Sequence, residues 1–399
     1  MNPASLPDKI RQGKMWLLSL LFLALICLPT LDWIFHLDHA PLANEKRLLT
    51  KFPEFRGLAQ LQEFITGLES YFNDHFGFRK RLVRTNNGWK RQWFHDAPHN
   101  DVIVGRDGWL FFIGERMLDE YFGQVQFSEP DLEAWQRLLE TRRDWAARRG
   151  IKYLFVIAPD KHSIYPEYLP EWIAVAKSRK PDKTEQFMAH MRTHSTVEVL
   201  DLRQPLWDAK PLGVSYLKTD THWNSLGGFI GYQAVVRALA RQVPQLKPLP
   251  LEAFEREVKI RPAGDLGGIL DDSEAKETQM INLVPRPPLH DLQSEVVPSR
   301  LPSKWYKNGE PVVTRSESGQ GKAIVFRDSF SGGFQPFLGY HFKEVLYIWQ
   351  YHWDAAFLER EKPDIVVDEM LERFFRQKDP NDLRGKDHLP ATSFAGPGS

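Results

Sequence analysis

The distribution of apolar residues divides this chain into an N-terminal apolar stretch and a long region of alternating helix and strand patterns. Residues 15–31 carry no charge, and as a helix they would be about 25 Å long, at the short end of what spans a bilayer. Basic residues precede the stretch and acidic residues follow it, which predicts a cytoplasmic N-terminus and an exported remainder. We therefore expect a single transmembrane anchor within residues 1–36 and a linker over 37–56.

A cleaved signal peptide is the alternative for the same stretch. The apolar run is longer than is usual in signal peptides, and no small-x-small cleavage pattern follows it. An uncleaved anchor is the favoured interpretation. Cys27, the only cysteine, lies inside the stretch, so the sequence excludes disulfides and a cysteine-type zinc site.

From residue 130 onwards, helical patterns alternate with short apolar runs that are typical of strands buried on both faces. The runs lie at 153–157, 197–200, 323–326, 345–349 and 364–367, with helical patterns near 131–149, 183–194, 225–241 and 353–361. This order predicts an α/β domain with a mainly parallel sheet, which we place over residues 57–376.

The regions around this alternation have weaker patterns. Helical patterns near 57–74 and 77–94 precede a hairpin formed by residues 102–104 and 109–112. Residues 244–320 are rich in proline and in short strand patterns. The sequence does not show how these strands are arranged. The chain after about residue 377 is polar and rich in glycine and proline, which predicts a disordered tail to residue 399.

The composition of the chain mainly excludes some classes of partner. The chain has 399 residues, enough for a large core, and 52 Lys+Arg are balanced by 52 Asp+Glu. A balanced net charge gives no reason to expect nucleic acid or another polyanion as a partner. The local basic runs lie in helical patterns and are interpreted as solvated helix faces.

A serine at the end of a predicted strand is the first candidate for chemistry. Ser329 follows the apolar run 323–326, where the strand would end and a loop begin. Ligands of open parallel sheets bind at the carboxyl ends of the strands. By itself Ser329 could equally cap a helix or occupy a turn, and the Gly-x-Ser-x-Gly elbow of lipases is absent.

Asp220 and His222 could activate such a serine. A hydroxyl becomes a good nucleophile when an imidazole takes its proton, and a carboxylate fixes the tautomer of that imidazole. At a spacing of two in extended backbone, both side chains point to the same side. Two ligands of a metal, or a loop held by ordinary hydrogen bonds, are the alternatives. A metal needs further ligands, and no other histidine shows ligand spacing. We therefore expect no metal site.

Three further residues are candidates for substrate contacts. Lys161 follows the strand pattern at 153–157 and could contact an anionic or carbonyl oxygen. Arg373 follows the last strand pattern and is a similar candidate, although a structural salt bridge suits it better. Trp223 could stack on a sugar, but packing of its own loop is the favoured interpretation.

Five segments in a fixed order resemble the SGNH-hydrolase-like acetyltransferases of bacterial exopolysaccharide pathways, the alginate O-acetyltransferase AlgJ/AlgX type. The segments are YFNDHFGFR at 71–79, VIVGRDGWLFF at 102–112, APDKHSIYPEYLP at 158–170, TDTHWNSLGG at 219–228 and VFRDSF at 325–330. The resemblance implies an SGNH-hydrolase-like three-layer domain. It also implies that Ser329 is the nucleophile, His222 the base and Asp220 its orienting acid, with the serine last in the chain.

The resemblance further implies a function in polysaccharide modification. An O-acetyltransferase of this type moves an acetyl group through an acyl-serine to hydroxyls of an exported polysaccharide, without a cofactor. The implied partners are the polysaccharide acceptor, a membrane-bound acyltransferase as acyl donor and other exopolysaccharide export proteins. The implied location is the bacterial inner membrane, with a single-pass anchor and the catalytic domain in the periplasm.

Two alternatives stay open, and the sequence departs from the wider SGNH class in one place. A polysaccharide acetylesterase or deacetylase would use water as acceptor, and a non-catalytic glycan-binding scaffold would need no nucleophile. Arg327 stands where the wider class has glycine, and no Gly-x-Asn-Asp block supplies an oxyanion donor, which leaves the backbone N–H of Ser329 as a candidate. The short segment after the last strand pattern favours the AlgJ branch over AlgX.

Overall fold

The computed structural model describes residues 8–35, 52–53, 57, 61–75, 101–177, 180–270, 276–290, 292–297 and 309–389. The chain divides into two compact units, one of residues 1–98 with 269–271 and one of residues 99–268 with 272–399. Residues 57–98, which the sequence placed in the catalytic domain, therefore fall in the first unit. Most of the predicted linker and the helical pattern at 77–94 lie outside the described residues.

The first unit is described as two helices, α1 (Asp8–Phe35) and α2 (Leu61–His75). Helix α1 contains the apolar stretch of the sequence, and its large apolar side chains from Met15 to Leu23 are exposed. In the described ranges, no helix combines the length and the apolar character needed to cross a membrane.

The second unit is built on a seven-stranded sheet with two small hairpins beside it. Its described strands are β1 (Val102–Val104), β2 (Leu110–Phe112), β3 (Lys152–Ala158), β4 (Val199–Asp201), β5 (Phe254–Pro262), β6 (Lys276–Pro285), β7 (Ser294–Val296), β8 (Val312–Arg315), β9 (Lys322–Phe326), β10 (Glu344–Ile348) and β11 (Ile365–Leu371). The sheet order is β4-β3-β11-β9-β10-β8-β7, while β1–β2 and β5–β6 pair separately. The predicted hairpin at 102–112 is confirmed.

Five neighbouring strands of the sheet are parallel. Strands β4, β3, β11, β9 and β10 run in one direction, and β8 and β7 add an antiparallel edge. The mainly parallel sheet predicted from the apolar runs is therefore confirmed. All five carboxyl ends meet at one rim, where loops can bring polar side chains together.

The helices of the second unit connect and cover these strands. They are α3 (Met117–Tyr121), α4 (Glu129–Ala147), α5 (Lys161–Ile164), α6 (Glu171–Val175), α7 (Lys183–His194), α8 (Arg203–Asp208), α9 (Ser225–Ala240), α10 (Asp265–Ile269), α11 (Gln335–Leu338), α12 (Ala355–Glu361), α13 (Glu372–Gln377) and α14 (Pro380–Lys386). Helix α4 begins with a capping box between Ser128 and Asp131, and α7 with one between Asp182 and Glu185.

The sheet lies between two hydrophobic cores. Leu154 and Val156 of β3 join one core together with Phe229 of α9. Phe155 of the same strand joins the other core, with Trp135 of α4. Alternate residues of a strand point to opposite faces, and residues 153–158 of β3 are all buried because both faces of the strand are covered. The result is three layers, helix–sheet–helix.

The prediction of a disordered tail after about residue 377 is wrong for residues 380–386. Residues 380–386 form α14, and Leu383 of this helix is buried in the second core. Asp387, just after α14, accepts hydrogen bonds from Nε and Nη2 of Arg142 at 2.8 and 2.9 Å. Residues 390–399 lie outside the described part of the chain. The polar composition of the segment concealed contacts that only the tertiary structure creates.

Replacement of Asp387 by alanine should strongly destabilise the second unit. The guanidinium of Arg142 is 1% exposed and pairs with Asp387 and Asp368, so the variant would keep a buried charge with one acid fewer. We expect a loss of about 3–5 kcal/mol in the free energy of unfolding, measured by urea denaturation. Asp382→Ala, on the exposed side of the same helix, should change it by less than about 0.5 kcal/mol. Equal midpoints for the two variants would contradict the structural role of α14.

Candidate active site

A short closed loop holds the predicted acid and base. Tyr216 and Trp223 pair as an isolated antiparallel bridge, and the N–H of Leu217 donates to the carbonyl of His222 at 3.0 Å. Asn224 caps α9 by accepting a hydrogen bond from the N–H of Gly227 at 3.1 Å. The N-cap of α9 is thus Asn224. Because the loop ends at a capped, buried helix, its position is fixed relative to the sheet.

The structure brings the three predicted catalytic residues together. Nε2 of His222 lies 2.8 Å from Oγ of Ser329, and Nδ1 of His222 lies 2.7 Å from Oδ1 of Asp220. Oδ1 of Asp220 also accepts the backbone N–H of His222 at 3.0 Å. This side chain–backbone turn, and not the extended backbone that the sequence analysis assumed, brings the carboxylate to the imidazole. All three residues are partly exposed.

The surroundings of Asp220 keep it ionised. Burial would raise its pKa, but hydrogen bonds from the side chain and backbone of His222 and from the backbone of Asp265 outweigh burial, and the pKa lies well below its usual range. An ionised carboxylate accepts a hydrogen bond from the Nδ1–H group of His222, which keeps the proton on that nitrogen. The other ring nitrogen, Nε2, then presents a lone pair to the hydroxyl of Ser329.

Two acids that the sequence analysis missed hold the loop in place. Glu277 of β6 is buried and accepts the backbone N–H groups of Lys218 and Thr219, each at 2.7 Å. Asp265 of α10 accepts the backbone N–H of Thr221 at 2.7 Å and its hydroxyl at 2.6 Å. Neither acid has a distinctive spacing in the sequence, so no local signal pointed to them.

A glycine beside Asp265 allows the acid of the site to fit. A Cβ at Gly264 would lie 2.4 Å from Oδ2 and 2.3 Å from Cβ of Asp220. Any larger residue would displace the carboxylate that orients His222. The close approach of Gly264 to Asp220 is visible only in the structure, because a single glycine in the sequence does not indicate it.

The metal alternative can be examined on the same residues. Ligand atoms of Asp220, His222 and Asp265 lie within 4.8 Å of one another. Both carboxylates already accept backbone N–H groups, at 3.0 Å for Asp220 and 2.7 Å for Asp265. A cation would have to compete with these hydrogen bonds and with the contact between Asp220 and His222. The arrangement suits an oriented imidazole better than a metal centre.

Lys161 has a different place from the one that the sequence suggested. Its ammonium group donates to the carbonyls of Leu217, Lys218 and Asp220 at 3.0, 3.2 and 2.6 Å. An ammonium has three N–H donors, so none is left for a substrate oxygen. Burial lowers the pKa of Lys161 to about 7. Lys161 therefore fastens the loop of Asp220 and His222 to the end of β3.

Trp223 and Arg373 also have structural contacts. Trp223 is 5% exposed and donates from Nε1 to the carbonyl of Phe330 at 3.0 Å, so its ring cannot form a sugar platform. The backbone N–H of Arg373 donates to Asp160 at 2.9 Å, and its guanidinium pairs with the same carboxylate. The favoured interpretations of both residues, loop packing and a salt bridge, agree with these contacts.

A buried carboxyl group fixes the serine segment after β9. Asp328 is fully buried and accepts hydrogen bonds from the N–H of Phe330 at 2.9 Å, the N–H of Leu371 at 2.7 Å and the hydroxyl of Tyr351 at 2.7 Å. Burial raises the pKa of Asp328. The residue ties the turn of Ser329 to the end of the neighbouring strand β11.

Residues 102–297 match a family model described as "SGNH hydrolase-like domain, acetyltransferase AlgX". The match includes Asp220 and His222 and ends before Ser329. The expected resemblance to SGNH-hydrolase-like acetyltransferases of the AlgJ/AlgX type is confirmed by this match and by the relatives below.

Two curated relatives are both named "Probable alginate O-acetylase AlgJ". The chain is 29% identical to the protein of Pseudomonas syringae pv. tomato over 55% of this chain and 52% of the relative. It is 33% identical to the protein of Pseudomonas putida over 35% of this chain and 34% of the relative. The matched region thus spans about half or less of each relative.

A solved structure supports the fold. A DHHW family protein from Eubacterium siraeum superposes with a TM-score of 0.53 and 14% identity, over 73% of this chain and 97% of that chain. At this identity the likeness concerns the fold alone. Together with the family model, it confirms an SGNH-hydrolase-like α/β fold.

Replacement of Lys161 by methionine should loosen the loop at 217–222. Three carbonyls would lose their common donor, and a hydrogen bond to a charged group contributes about 1.5–3 kcal/mol. We expect amide hydrogen exchange in the segment after Leu217 to become about 10–100-fold faster, read by mass spectrometry. Lys218→Met is the matched control, because no partner of its ammonium group occurs among the described residues. Unchanged exchange in Lys161→Met would contradict the fastening role.

Proposed function

We propose that this chain is an O-acetyltransferase that moves an acetyl group through an acyl-serine to hydroxyls of an exported polysaccharide. The observation that carries the proposal is the chain of two hydrogen bonds from Ser329 through His222 to Asp220, at 2.8 and 2.7 Å. The names of the relatives and the description of the family model support acetyl transfer as the reaction class.

In the first half of the reaction, Oγ of Ser329 attacks the carbonyl carbon of an acetyl donor. Nε2 of His222 takes the hydroxyl proton as the carbon–oxygen bond forms, and Asp220 stabilises the resulting imidazolium. The tetrahedral oxyanion needs a hydrogen-bond donor, for which the backbone N–H of Ser329 is available. As the intermediate collapses, His222 returns the proton to the leaving group, and acetyl-Ser329 is left.

In the second half, a sugar hydroxyl replaces the leaving group. Its proton passes to Nε2 of His222 while its oxygen attacks the acetyl carbon, and collapse of the intermediate returns the proton to Oγ of Ser329. Water in the same position would give an esterase. Transfer therefore requires that the bound sugar hydroxyl is better placed than water.

The proposed donor and location rest on the family resemblance and on the N-terminal stretch. We propose a membrane-bound acyltransferase as the source of the acetyl group, and assembly with other exopolysaccharide export proteins. The uncharged stretch 15–31, with basic residues before it and acidic residues after it, supports a single-pass anchor in the inner membrane and a second unit in the periplasm.

Incubation with an activated acetyl ester should acetylate Ser329. Intact-protein mass spectrometry should detect one added acetyl group, located on Ser329 by peptide mapping. The adduct should be absent in Ser329→Ala, and its formation should fall by about 10³-fold or more in His222→Ala, because the hydroxyl then has no base. Ser331→Ala is the matched control, since Ser331 lies in the same turn but its hydroxyl has no hydrogen-bond partner among the described residues. An adduct that forms equally well in all variants would refute the mechanism.

A second measurement with the same proteins separates the alternatives. After acetylation, addition of a deacetylated uronate polymer should move the label to the polymer faster than water releases free acetate. Release of acetate alone would indicate an esterase or deacetylase. Polymer binding without any adduct in the unaltered protein would indicate a non-catalytic scaffold.

Fusion of a phosphatase that is active only after export should test the location. The full chain with this reporter at its C-terminus should be active and found in the membrane fraction, because α1 would act as the anchor. The same fusion starting at residue 36 should be inactive. An inactive, cytoplasmic full-length fusion would refute the proposed location.

A further inference from the structure

A buried arginine lies beside the proposed nucleophile without an ion pair to any described acid. Arg327 is 8% exposed, none of the described carboxylates lies within salt-bridge distance of it, and its Nε has no hydrogen-bond partner among the residues that the structure describes. Its one hydrogen bond runs from Nη1 to the carbonyl of Asp328 at 2.9 Å. Burial of an unpaired charge is costly, so such a group calls for an explanation. By contrast, Arg142 pairs with two acids.

The neighbouring acid does not neutralise this charge. Glu369 of β11 is fully buried, and burial, together with the nearby Asp328, raises its pKa well above the usual range. The neutral form of Glu369 is therefore favoured. Its Oε2 accepts the N–H of Asp328 at 3.1 Å, and its Oε1 has no hydrogen-bond partner in the described part of the chain. The positive charge of Arg327 is thus left to act on the backbone that it contacts.

Among the N–H groups of residues 327–330, only that of Ser329 has no partner in the described part of the chain. The N–H of Arg327 donates to Ile348 at 2.9 Å, that of Asp328 to Glu369 at 3.1 Å, and that of Phe330 to the side chain of Asp328 at 2.9 Å. The N–H of Ser329 has no partner among the described residues. The peptide between Asp328 and Ser329 therefore has its carbonyl bound to a guanidinium and its N–H unoccupied.

This arrangement affects how strongly the free N–H can donate. A charged donor on the carbonyl polarises the amide, and hydrogen bonds linked through one amide strengthen each other in a low dielectric. The N–H of Ser329 is three bonds from the nucleophilic Oγ, so it can reach the oxygen of a carbon that is bonded to that Oγ. A stronger donor at this place stabilises the oxyanion more than the ground-state carbonyl.

We propose that Arg327 is a positioning residue that strengthens the oxyanion-binding N–H of Ser329 by polarising the peptide between Asp328 and Ser329. The proposal rests on the proposed acetyl transfer through Ser329. It also gives a reason for arginine where the sequence analysis found a departure from the glycine of the wider SGNH class. A role in packing alone, through the Trp349 ring 4.8 Å away, is the competing explanation.

Three substitutions separate charge, hydrogen bonding and packing. Arg327→Lys keeps a charge, Arg327→Gln keeps a neutral donor, and Arg327→Met keeps only apolar volume. Single-turnover formation of acetyl-Ser329 should slow in this order, by about 10–100-fold for the methionine variant, because weakening a donor costs less than removing one. The ester concentration at half-maximal rate should stay within about twofold, since ground-state binding is not affected.

Infrared spectroscopy of the acetylated proteins gives a readout that packing would not change. With a carbonyl-labelled acetyl group, the stretch of acetyl-Ser329 should shift to higher frequency in Arg327→Met, because the hydrogen bond to its oxygen is weaker. The glutamine variant should lie between the methionine variant and the unaltered protein. Arg142→Met, which removes another buried guanidinium, should lower the stability and leave the frequency unchanged.

The outcomes distinguish this inference from the proposed function. An unchanged frequency and acetylation rate in Arg327→Met would overturn the role of Arg327 and leave acetyl transfer intact. Normal acetylation with weaker binding of an anionic polymer would overturn it in favour of direct contact between Arg327 and the acceptor. No acetyl-Ser329 in the unaltered protein would overturn the proposed function itself, and the inference with it.

Discussion

The hydrogen bond between His222 and Ser329 imposes the main constraint on this structure, because it joins two segments that are 107 residues apart. Close backbone packing between α9 and the serine turn satisfies the constraint. A Cβ at Gly228 would lie 2.1 Å from the carbonyl oxygen of Gly333, and Nε1 of Trp223 donates to the carbonyl of Phe330 at 3.0 Å. The helix that follows the histidine loop therefore seats directly on the turn that carries the serine.

Polar contacts, rather than regular secondary structure, fix the loop of the base. The ammonium of Lys161 holds its carbonyls, while Glu277 and Asp265 hold its N–H groups. These partners come from α5, β6 and α10, so three separate elements determine one short segment. A loop at the rim of a sheet cannot rely on a ladder of backbone hydrogen bonds, and buried side chains take over that role. The site is thus partly exposed and still well defined.

The sequence predicted what depends on local pattern and missed what depends on distant partners. The parallel strands followed from apolar runs, and Ser329 stood out because it follows the end of a strand. Its grouping with His222 and Asp220 followed from their chemistry and from the family resemblance. The direction of the Lys161 side chain was not predictable, because its acceptors are backbone carbonyls without a residue signature. Glu277 escaped notice for the same reason. Helix α14 was missed because the partner of the acid that follows it, Arg142 of α4, lies far away in the sequence.

The contact that defines the site also changes during the proposed reaction. Once Ser329 carries an acetyl group, its Oγ has no proton to donate, and the 2.8 Å hydrogen bond to His222 is lost. The imidazole must then keep its orientation through Asp220 at 2.7 Å and through the ring of Phe330, whose centroid lies 5.0 Å away. While the acyl-serine is present, Nε2 is therefore free to accept the proton of the attacking sugar hydroxyl. The turn that binds the carboxylate to its own histidine therefore matters most in the second half of the reaction, when the serine no longer helps to hold the ring.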